Sequence, residues 1–366
     1  MLTLILSAML AVSLGPMGSD APAREPQMAA SGSLVGLTFG AGSAIYFSAS
    51  HDGGKTFGSP VKVSEETVLP LNRHRGPHIA IVGGIIVISA VAGKTLSQAQ
   101  HAHGLPSDGD LLVWRSRDGG KSWSKGRVIN DVPGAPTEGL HTLAAGANGQ
   151  LFAAWLDHRD GNGTTLYGAG SIDAGASWSR NFLIYRSPDG SVCECCHPSA
   201  AVGADGQVEV MFRNWLGGSR DLYLARSRDG IIFGQPEKLG KGTWQLNACP
   251  MDGGGLVISG GRTFTAWRRG EELFLAEPGH EETRLGTGKD VALAASGGTV
   301  RTAWSSGNKI QLWTNGKTEV LSEAGGFPAL VSLPDGASLP AGSAVAAWEE
   351  HGAIVTRRLL AVGGRK

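Results

Sequence analysis

The sequence predicts an all-β fold, a β-propeller built from blades of four strands each. Three observations support this prediction. The chain of 366 residues contains 56 glycines with no collagen-like period, a composition typical of many tight turns. A short turn motif recurs at regular intervals, and so does an apolar strand that carries one aromatic residue per repeat. Radial repetition leaves few free sheet edges, which suits an all-β chain of this length.

The recurring turn motif fits S-x-D-x-G-x-[TS]-[FW] three times, and a fourth copy is one residue short. The copies begin at Ser50, Ser116, Ser171 and Ser227, which are 66, 55 and 56 residues apart. The aspartate side chain can accept hydrogen bonds from backbone amides of a hairpin turn, and the glycine permits a positive φ. The motif therefore predicts a repeated hairpin.

This motif resembles the Asp box, or BNR repeat, of sialidases and related β-propellers. The resemblance implies that each copy joins the third and fourth strands of a blade, on the face away from the active site. On that basis the motif is structural, and we assign it no chemistry.

The second strand of each unit carries an aromatic residue at one position. We expect these side chains to pack between blades: Trp155, Phe212, Trp267, Trp304 and Trp348. Seven units follow from this spacing, near residues 26–66, 77–131, 141–187, 197–240, 249–287, 290–322 and 327–360. The last unit shows only three strands. The repeat count favours seven blades, whereas the sialidase resemblance favours six, with the two termini sharing a blade.

The N-terminal 23 residues have the pattern of an export signal peptide. Leu2 to Leu14 is an apolar run too short to span a bilayer, and Ala21-Pro22-Ala23 offers a small-x-small cleavage site. The alternative is a buried N-terminal segment. We therefore expect a secreted or periplasmic protein with one propeller domain over residues 24–366, acting as a monomer.

No other stretch could cross a membrane, and the formal net charge of zero argues against nucleic acid as a partner.

Three of the four cysteines lie together in "SVCECCHPSA". When the starts of the innermost strands of four consecutive units are aligned, His78, His141, Pro198 and Pro250 share a register. This alignment gathers seven possible metal ligands on one face: His78, His141, Cys193, Cys195, Cys196, His197 and Cys249. Thiolates and imidazoles bind copper and zinc well. The alternative is disulfide bonding, with Cys249 paired to a member of the group and Cys193 paired to Cys196.

The connections between second and third strands should reach the same face. They supply candidate ligand-binding residues, namely His158, Arg159, Asn214 and Trp215, and candidate catalytic residues, namely Asp157, Arg213 and Arg268, to which we add Arg75. Several arginines around a funnel would suit an anionic ligand because guanidinium pairs bidentately with carboxylate. A solvated polar rim is the alternative.

The sialidase resemblance implies three arginines that hold a carboxylate and a tyrosine nucleophile. Arg75-Gly76-Pro77 resembles the family's Arg-x-Pro element, and Arg213 and Arg268 would complete the triad. The four tyrosines are Tyr46, Tyr167, Tyr185 and Tyr223, and none lies in the last third of the chain, where the family has its nucleophile.

The usual sialidase mechanism is thus not supported. Other hydrolysis or lyase chemistry with Asp157, Glu349 or Glu350 stays open. The leading hypothesis is a copper or zinc site that binds or acts on a small anionic or carbohydrate-like molecule. The alternative is a glycoside hydrolase, or a glycan-binding propeller, with structural disulfides.

Overall fold

A computed structural model describes residues 11–15, 21–98, 104–136, 138–334 and 339–361. This part of the chain contains strands, turns and loops, and no helix. Accordingly, the described residues include no helix that could span a membrane. The strands, in chain order, are β1 (Val12–Leu14), β2 (Ala23–Ser31), β3 (Leu34–Ala41), β4 (Ala44–Ser50), β5 (Val61–Glu65), β6 (His78–Val82), β7 (Ile85–Ala92), β8 (Asp110–Ser116), β9 (Arg127–Val128), β10 (His141–Ala145), β11 (Leu151–Asp157), β12 (Thr165–Ser171), β13 (Phe182–Tyr185), β14 (Ser199–Val202), β15 (Val208–Arg213), β16 (Leu222–Ser227), β17 (Glu237–Lys238), β18 (Gly254–Ser259), β19 (Arg262–Arg269), β20 (Glu272–Ala276), β21 (Thr283–Thr287), β22 (Lys289–Ser296), β23 (Thr299–Ser306), β24 (Lys309–Thr314), β25 (Lys317–Ser322), β26 (Gly326–Ser332), β27 (Ala344–Glu350) and β28 (Ala353–Leu359).

The strands form seven antiparallel sheets of four strands each. Blades one to six each take four consecutive strands, from β2–β5 to β22–β25, and blade seven has the order β26-β27-β28-β1. The prediction of a seven-bladed propeller is confirmed, and the six-blade alternative is wrong. There are seven blades and not six because each repeat unit forms its own sheet, including the last unit, which contributes three strands of its own.

Blade seven is completed by the N-terminal strand. Val12 of β1 pairs with Thr356 of β28, and Leu14 pairs with Ile354. These residues lie inside the stretch predicted as a signal peptide, and Ala23 of the predicted cleavage site begins β2 and is buried. Residues 1–10 and 16–20 of that stretch lie outside the described part of the chain, and the signal peptide stays a prediction. Removal of residues 1–23 would leave blade seven with three strands.

The blades pack against each other through the aromatic residues of their second strands. Trp155 is buried with Val87 and Leu111 of the preceding blade, and Trp304 is buried with Leu275 of the preceding blade. Trp267, Phe212 and Trp348 are also buried, each no more than 2% exposed. Side chains of this size contribute strongly to packing energy, so one aromatic per blade stabilises each interface between neighbours.

The chain direction in the blades separates two faces of the propeller. The first strand of a blade starts on the same face as the turn between its second and third strands, which we call the funnel face. The turn between the third and fourth strands lies on the opposite face and contains the recurring motif. In the first copy, the Asp52 carboxylate accepts hydrogen bonds from the Lys55 and Thr56 amides, at 3.0 and 2.9 Å, and from the Thr56 hydroxyl at 2.7 Å. Because the structural turn motif occupies the opposite face, we expect the functional residues on the funnel face.

Candidate functional site

Backbone strain is concentrated at the starts of the innermost strands. In five of the seven blades, a residue other than glycine adopts a positive φ at this point: Glu25, His74, Met251, Asp290 and Phe327, with φ of 55°, 67°, 53°, 58° and 49°. Left-handed backbone is costly for residues with a Cβ and clusters at functional sites. The repetition of this conformation around the funnel makes the funnel face the candidate site.

An ion pair crosses the funnel between His74 and Asp290. His74 Nε2 lies 3.1 Å from Asp290 Oδ1, and both side chains are mostly buried. Ligand atoms of these two residues and of Asp252 lie within 4.8 Å of one another. Such a group could hold a cation only after the imidazole has lost its proton.

The electrostatics of this group favour the charged pair. Burial alone would lower the pKa of His74, but the hydrogen bond to Asp290 and the negative charges of Asp290, Glu25 and Asp252 outweigh burial and raise it to about 9. Burial would raise the pKa of Asp290, but the hydrogen bond and charge of His74 lower it. Burial raises the pKa of Asp252, and the neighbouring negative charge of Asp290 raises it further. Near neutral pH, His74 is therefore an imidazolium next to an ionised Asp290.

Two glutamates adjoin the pair, and their pKa values are raised, whereas the pKa of Asp290 is lowered. Burial raises the pKa of Glu25 to about 7, although the charge of His74 opposes the shift. Burial also raises the pKa of Glu349. Glu349 accepts hydrogen bonds from the Glu25 amide and from the Arg24 guanidinium, each at 2.8 Å. The site thus combines two carboxyl groups whose pKa is raised with one, Asp290, whose pKa is lowered.

Asp290 is shared by two cavities. A central cavity of about 240 Å³ lies on the propeller axis and is lined by His74, His78, His197 and Asp290. A groove of about 470 Å³ opens beside it over blades six, seven and one, and Asp290 and Glu349 both line it. The other polar and aromatic residues of the groove are Arg24, Lys289, Ser305, Asn308, Phe327, Glu350 and His351. We call this feature the carboxylate groove.

The predicted histidines meet on the funnel axis. The rings of His78 and His141 are 4.5 Å apart between centroids, and those of His74 and His197 are 4.3 Å apart. His141 Nε2 lies 3.0 Å from the Ser89 hydroxyl. Burial lowers the pKa of His78 and His197, and it lowers that of His141 to about 4. These three imidazoles are therefore neutral; His141 is buried, and His78 and His197 are partly exposed.

The cysteines form a group of their own. The ligand atoms of Cys193, Cys195 and Cys196 lie within 4.8 Å of one another, and Cys249 contacts the Cys195 thiol. All four are free thiols, and only Cys249 is exposed. Hydrogen bonding with the Cys195 and Cys196 thiols lowers the pKa of Cys193 well below its usual range. The residues predicted as one metal set thus occupy two places, one made of thiols and one of imidazoles.

Two of the three predicted arginines lie together: Arg213 and Arg268 both lie over the Trp244 ring, 5.2 and 5.4 Å from its centroid. Arg213 is fully buried, and its guanidinium donates to the backbone carbonyls of Asp252, Arg220 and Arg268. Arg75 is also buried and donates to the carbonyl and carboxylate of Glu138. Arg268 donates to the Gly270 carbonyl. These contacts are those of residues that brace loops, and the assignment of the three arginines to a carboxylate-binding triad stays a prediction.

The other predicted residues are likewise engaged within the protein. Asp157 is buried and accepts hydrogen bonds from the Trp155 indole and from the Arg159 guanidinium. His158 Nε2 lies 3.3 Å from the Thr164 hydroxyl. The Asn214 amide donates to the Tyr185 hydroxyl, and the Trp215 ring is covered by the Arg220 guanidinium, 4.3 Å from its centroid. Their assignment to ligand binding or catalysis stays a prediction.

Sequence reasoning missed four residues of the site: Glu25, Asp252, Asp290 and Phe327. Each lies at or just before the start of an innermost strand, in "AREPQMAA", "PMDGGGLV", "GKDVALAA" and "GGFPALVS". Extending the alignment of inner-strand starts from four blades to seven would have found Glu25, Asp290 and Phe327, whereas Asp252 already lay in the aligned segment of blade five, two residues after Pro250. Glu349 was named as a possible catalytic residue and does line the carboxylate groove.

Comparison with known proteins gives structural matches only. No family model and no curated protein sequence matches the chain. The structure is similar to an α-L-arabinanase from Penicillium chrysogenum complexed with arabinobiose, with a TM-score of 0.55 and 15% identity over 96% of this chain and 97% of that one. It is also similar to a PL25 ulvan lyase, with a TM-score of 0.57 and 13% identity over 92% and 94% of the two chains. An intramolecular trans-sialidase from Ruminococcus gnavus gives a TM-score of 0.51 and 12% identity over 92% and 94%. At these identities the similarity establishes the propeller fold.

Proposed function

We propose that the protein is a carbohydrate-active enzyme that cleaves a glycosidic bond in the carboxylate groove. One observation carries the proposal: Glu349 and Asp290 line the same groove, and their pKa values are shifted in opposite directions. Pairs of carboxyl groups whose environments separate their pKa values are typical of acid and base assignments in glycoside cleavage. The fold is shared with an arabinanase, an ulvan lyase and a trans-sialidase, which supports this class of substrate.

The two carboxyl groups have distinct roles in this proposal. Glu349, whose burial favours the protonated form, donates its proton to the glycosidic oxygen as the bond to the anomeric carbon breaks. Asp290, held ionised by His74, lies near the positive charge that develops on the sugar ring. Water then adds to the anomeric carbon and gives its proton to Asp290, and proton exchange with solvent restores both groups.

The remaining groove residues suit a saccharide ligand. The groove volume of about 470 Å³ lies in the range of small-molecule sites. Phe327 offers an aromatic face, and Arg24 and Lys289 supply positive charge at the rim. This charge favours a sugar that carries a carboxylate or sulfate group. Export to the periplasm or the medium, and action as a monomer, belong to the same proposal.

The experiment is a substrate screen with matched variants. Purified protein is incubated with arabinan, ulvan, sialyllactose and a panel of aryl glycosides, and released products are separated by chromatography. Glu349→Gln and Asp290→Asn should each lower the rate about 100-fold or more. The exposed surface variant Glu281→Gln is the control and should leave the rate unchanged.

The outcomes separate the possible functions. Turnover that both groove variants abolish supports the proposal. Saccharide binding without turnover would make the protein a glycan-binding propeller. Turnover unaffected by either variant would move the chemistry to another part of the funnel face, and the absence of both binding and turnover would overturn the proposal.

A further inference from the structure

The four cysteines of the chain come from two neighbouring connections on the funnel face. Cys193, Cys195 and Cys196 lie in the connection that leads into β14 of blade four, and Cys249 lies in the connection that leads into β18 of blade five. The three in blade four are at most 5% exposed, and Cys249 reaches them at the Cys195 thiol. The chain has no other cysteine. All four thiols are therefore adjacent, with Cys249 next to Cys195 but outside the group of three whose sulfurs lie within 4.8 Å of one another.

The sulfur spacing suits thiolates around one ion. Cys193 Sγ lies 3.7 Å from Cys195 Sγ and 3.2 Å from Cys196 Sγ. Zinc–sulfur bonds of about 2.3 Å in tetrahedral geometry place sulfurs about 3.8 Å apart. The first distance meets that value, and the second would need to lengthen by about half an ångström. A disulfide would need the sulfurs to approach to about 2.05 Å.

Two buried arginines favour negatively charged thiolates over uncharged disulfides at this cluster. Arg220 is 4% exposed, and its Nε and Nη1 atoms are buried with no hydrogen-bond partner. Its positive charge acts on Cys193 and Cys249, and that of Arg213 acts on Cys193. Arg213 donates to backbone carbonyls. A buried charge without a counter-charge is strongly destabilising.

The charge of the cluster decides between a metal centre and disulfides. A Zn²⁺ ion with four thiolates carries a net charge of two minus, which would place a counter-charge beside Arg220 and Arg213. Two disulfides carry no charge and would leave Arg220 without compensation, whereas the charge of Arg213 also acts on Asp252. We propose that Cys193, Cys195, Cys196 and Cys249 form a four-thiolate site for a soft d¹⁰ cation, zinc by the count of sulfurs, which joins the connections of blades four and five.

This proposal is independent of the carboxylate groove and of any turnover there. The ion would hold the segment that ends in His197, which lines the central cavity, so its role would be to fix the rim of the funnel. Four sulfur ligands leave no open position, as is usual in structural zinc sites.

The test is the metal content of the full-length protein, purified without chelator and measured by elemental mass spectrometry. We expect one equivalent of zinc. Cys249→Ser removes the exposed ligand and should fold, and it should lose most of the metal during dialysis against a weak chelator. His280→Asn, an exposed imidazole variant, is the control and should keep the metal.

A second measurement counts accessible thiols by alkylation and intact mass. The metal site predicts protection of the buried thiols before chelation and four alkylated cysteines after it. Addition of Co²⁺ to the chelated protein should produce an intense thiolate-to-cobalt charge-transfer band that is reduced in Cys249→Ser.

Each remaining outcome is decisive. One equivalent of copper in place of zinc, lost in the same variant, supports the thiolate site and changes the ion. A metal-free protein that is lighter by two or four hydrogens and resists alkylation would show disulfides and overturn the proposal. A metal-free protein with four free thiols that does not bind Co²⁺ would overturn it as well.

Discussion

His74 Nε2 lies 3.1 Å from Asp290 Oδ1, although the two residues are 216 positions apart in the sequence. His74 precedes the innermost strand of blade two, and Asp290 lies in the innermost strand of blade six. The contact therefore joins blades that are not neighbours, across the mouth of the funnel. Because each residue shifts the pKa of the other toward its charged form, removal of one changes the chemistry of the other.

The first prediction concerns the pH dependence of the proposed turnover. The rate should fall on the acid side as Asp290 takes up a proton. His74→Asn removes the positive charge that lowers the pKa of Asp290, so the acid limb of the rate profile should move to higher pH. The rate against pH is to be compared for the wild type, His74→Asn and the exposed control His280→Asn. An acid limb that stays in place in His74→Asn would rule out the ion pair as its cause.

The second prediction concerns stability and Glu25. Its pKa is raised from 4.5 to about 7 in the folded protein, so the folded state holds this proton more tightly than the unfolded chain. The contribution to stability is complete below pH 4.5 and is lost as the pH rises through about 7. Glu25→Gln removes the charge and should raise the free energy of unfolding at pH 8 by about 2–3 kcal/mol relative to the wild type.

The same variant should be indistinguishable from the wild type at pH 4, where Glu25 is already neutral. Denaturant unfolding at the two pH values measures both quantities, and Glu281→Gln serves as the exposed control. Equal stability of Glu25→Gln and the wild type at pH 8 would show that Glu25 is not strained by burial.

The third prediction separates two kinds of arginine. Arg213→Met leaves three backbone carbonyls without donors and should lower the free energy of unfolding by about 3 kcal/mol or more. Arg24→Met removes a half-exposed rim charge and should weaken saccharide binding with little change in stability. Thermal unfolding and binding titrations on both variants provide the comparison. A stable Arg213→Met that has lost ligand affinity would instead support the assignment of Arg213 to ligand binding.

The fourth prediction concerns the repeated turns. Asp52 accepts hydrogen bonds from two amides and from the Ser50 and Thr56 hydroxyls. Asp52→Ala should lower the free energy of unfolding by about 1–2 kcal/mol. Asp229, in the short copy, accepts from two amides and one hydroxyl, and Asp229→Ala should cost less. Equal losses, measured by denaturant unfolding, would mean that the second hydroxyl adds nothing.

The sequence predicted the fold better than the site because the two are encoded differently. Local repetition specifies blades: the turn around Asp52 and the strand around Trp155 recur, and each copy depends on near neighbours. The site is assembled once, from single residues such as Glu25 and Asp290 on different blades. These residues share no motif, and their roles depend on burial and mutual charge, which only the assembled funnel creates.

The arginines are a second example of what the sequence pattern does not reveal, namely the contacts that a side chain makes in the folded protein. Arg75 and Arg213 were named as candidate catalytic residues, from the sialidase resemblance and because a guanidinium suits an anionic ligand, and in the structure both donate to backbone carbonyls. Whether a guanidinium faces a cavity or a backbone carbonyl is decided by side-chain direction, which the sequence pattern does not reveal at these positions.

The pairing of β1 with β28 has a consequence for how the chain reaches this structure. The Thr356 hydroxyl lies 3.5 Å from the Val12 carbonyl, across 344 residues of sequence. Contacts this distant in the chain carry a large loop-closure cost and form slowly. Blades one to six can each form from a continuous segment, but the fourth strand of blade seven comes from the opposite end of the chain. The ring therefore closes only when both ends of the chain are present together, and until then the terminal blades expose apolar sides that a chaperone could bind.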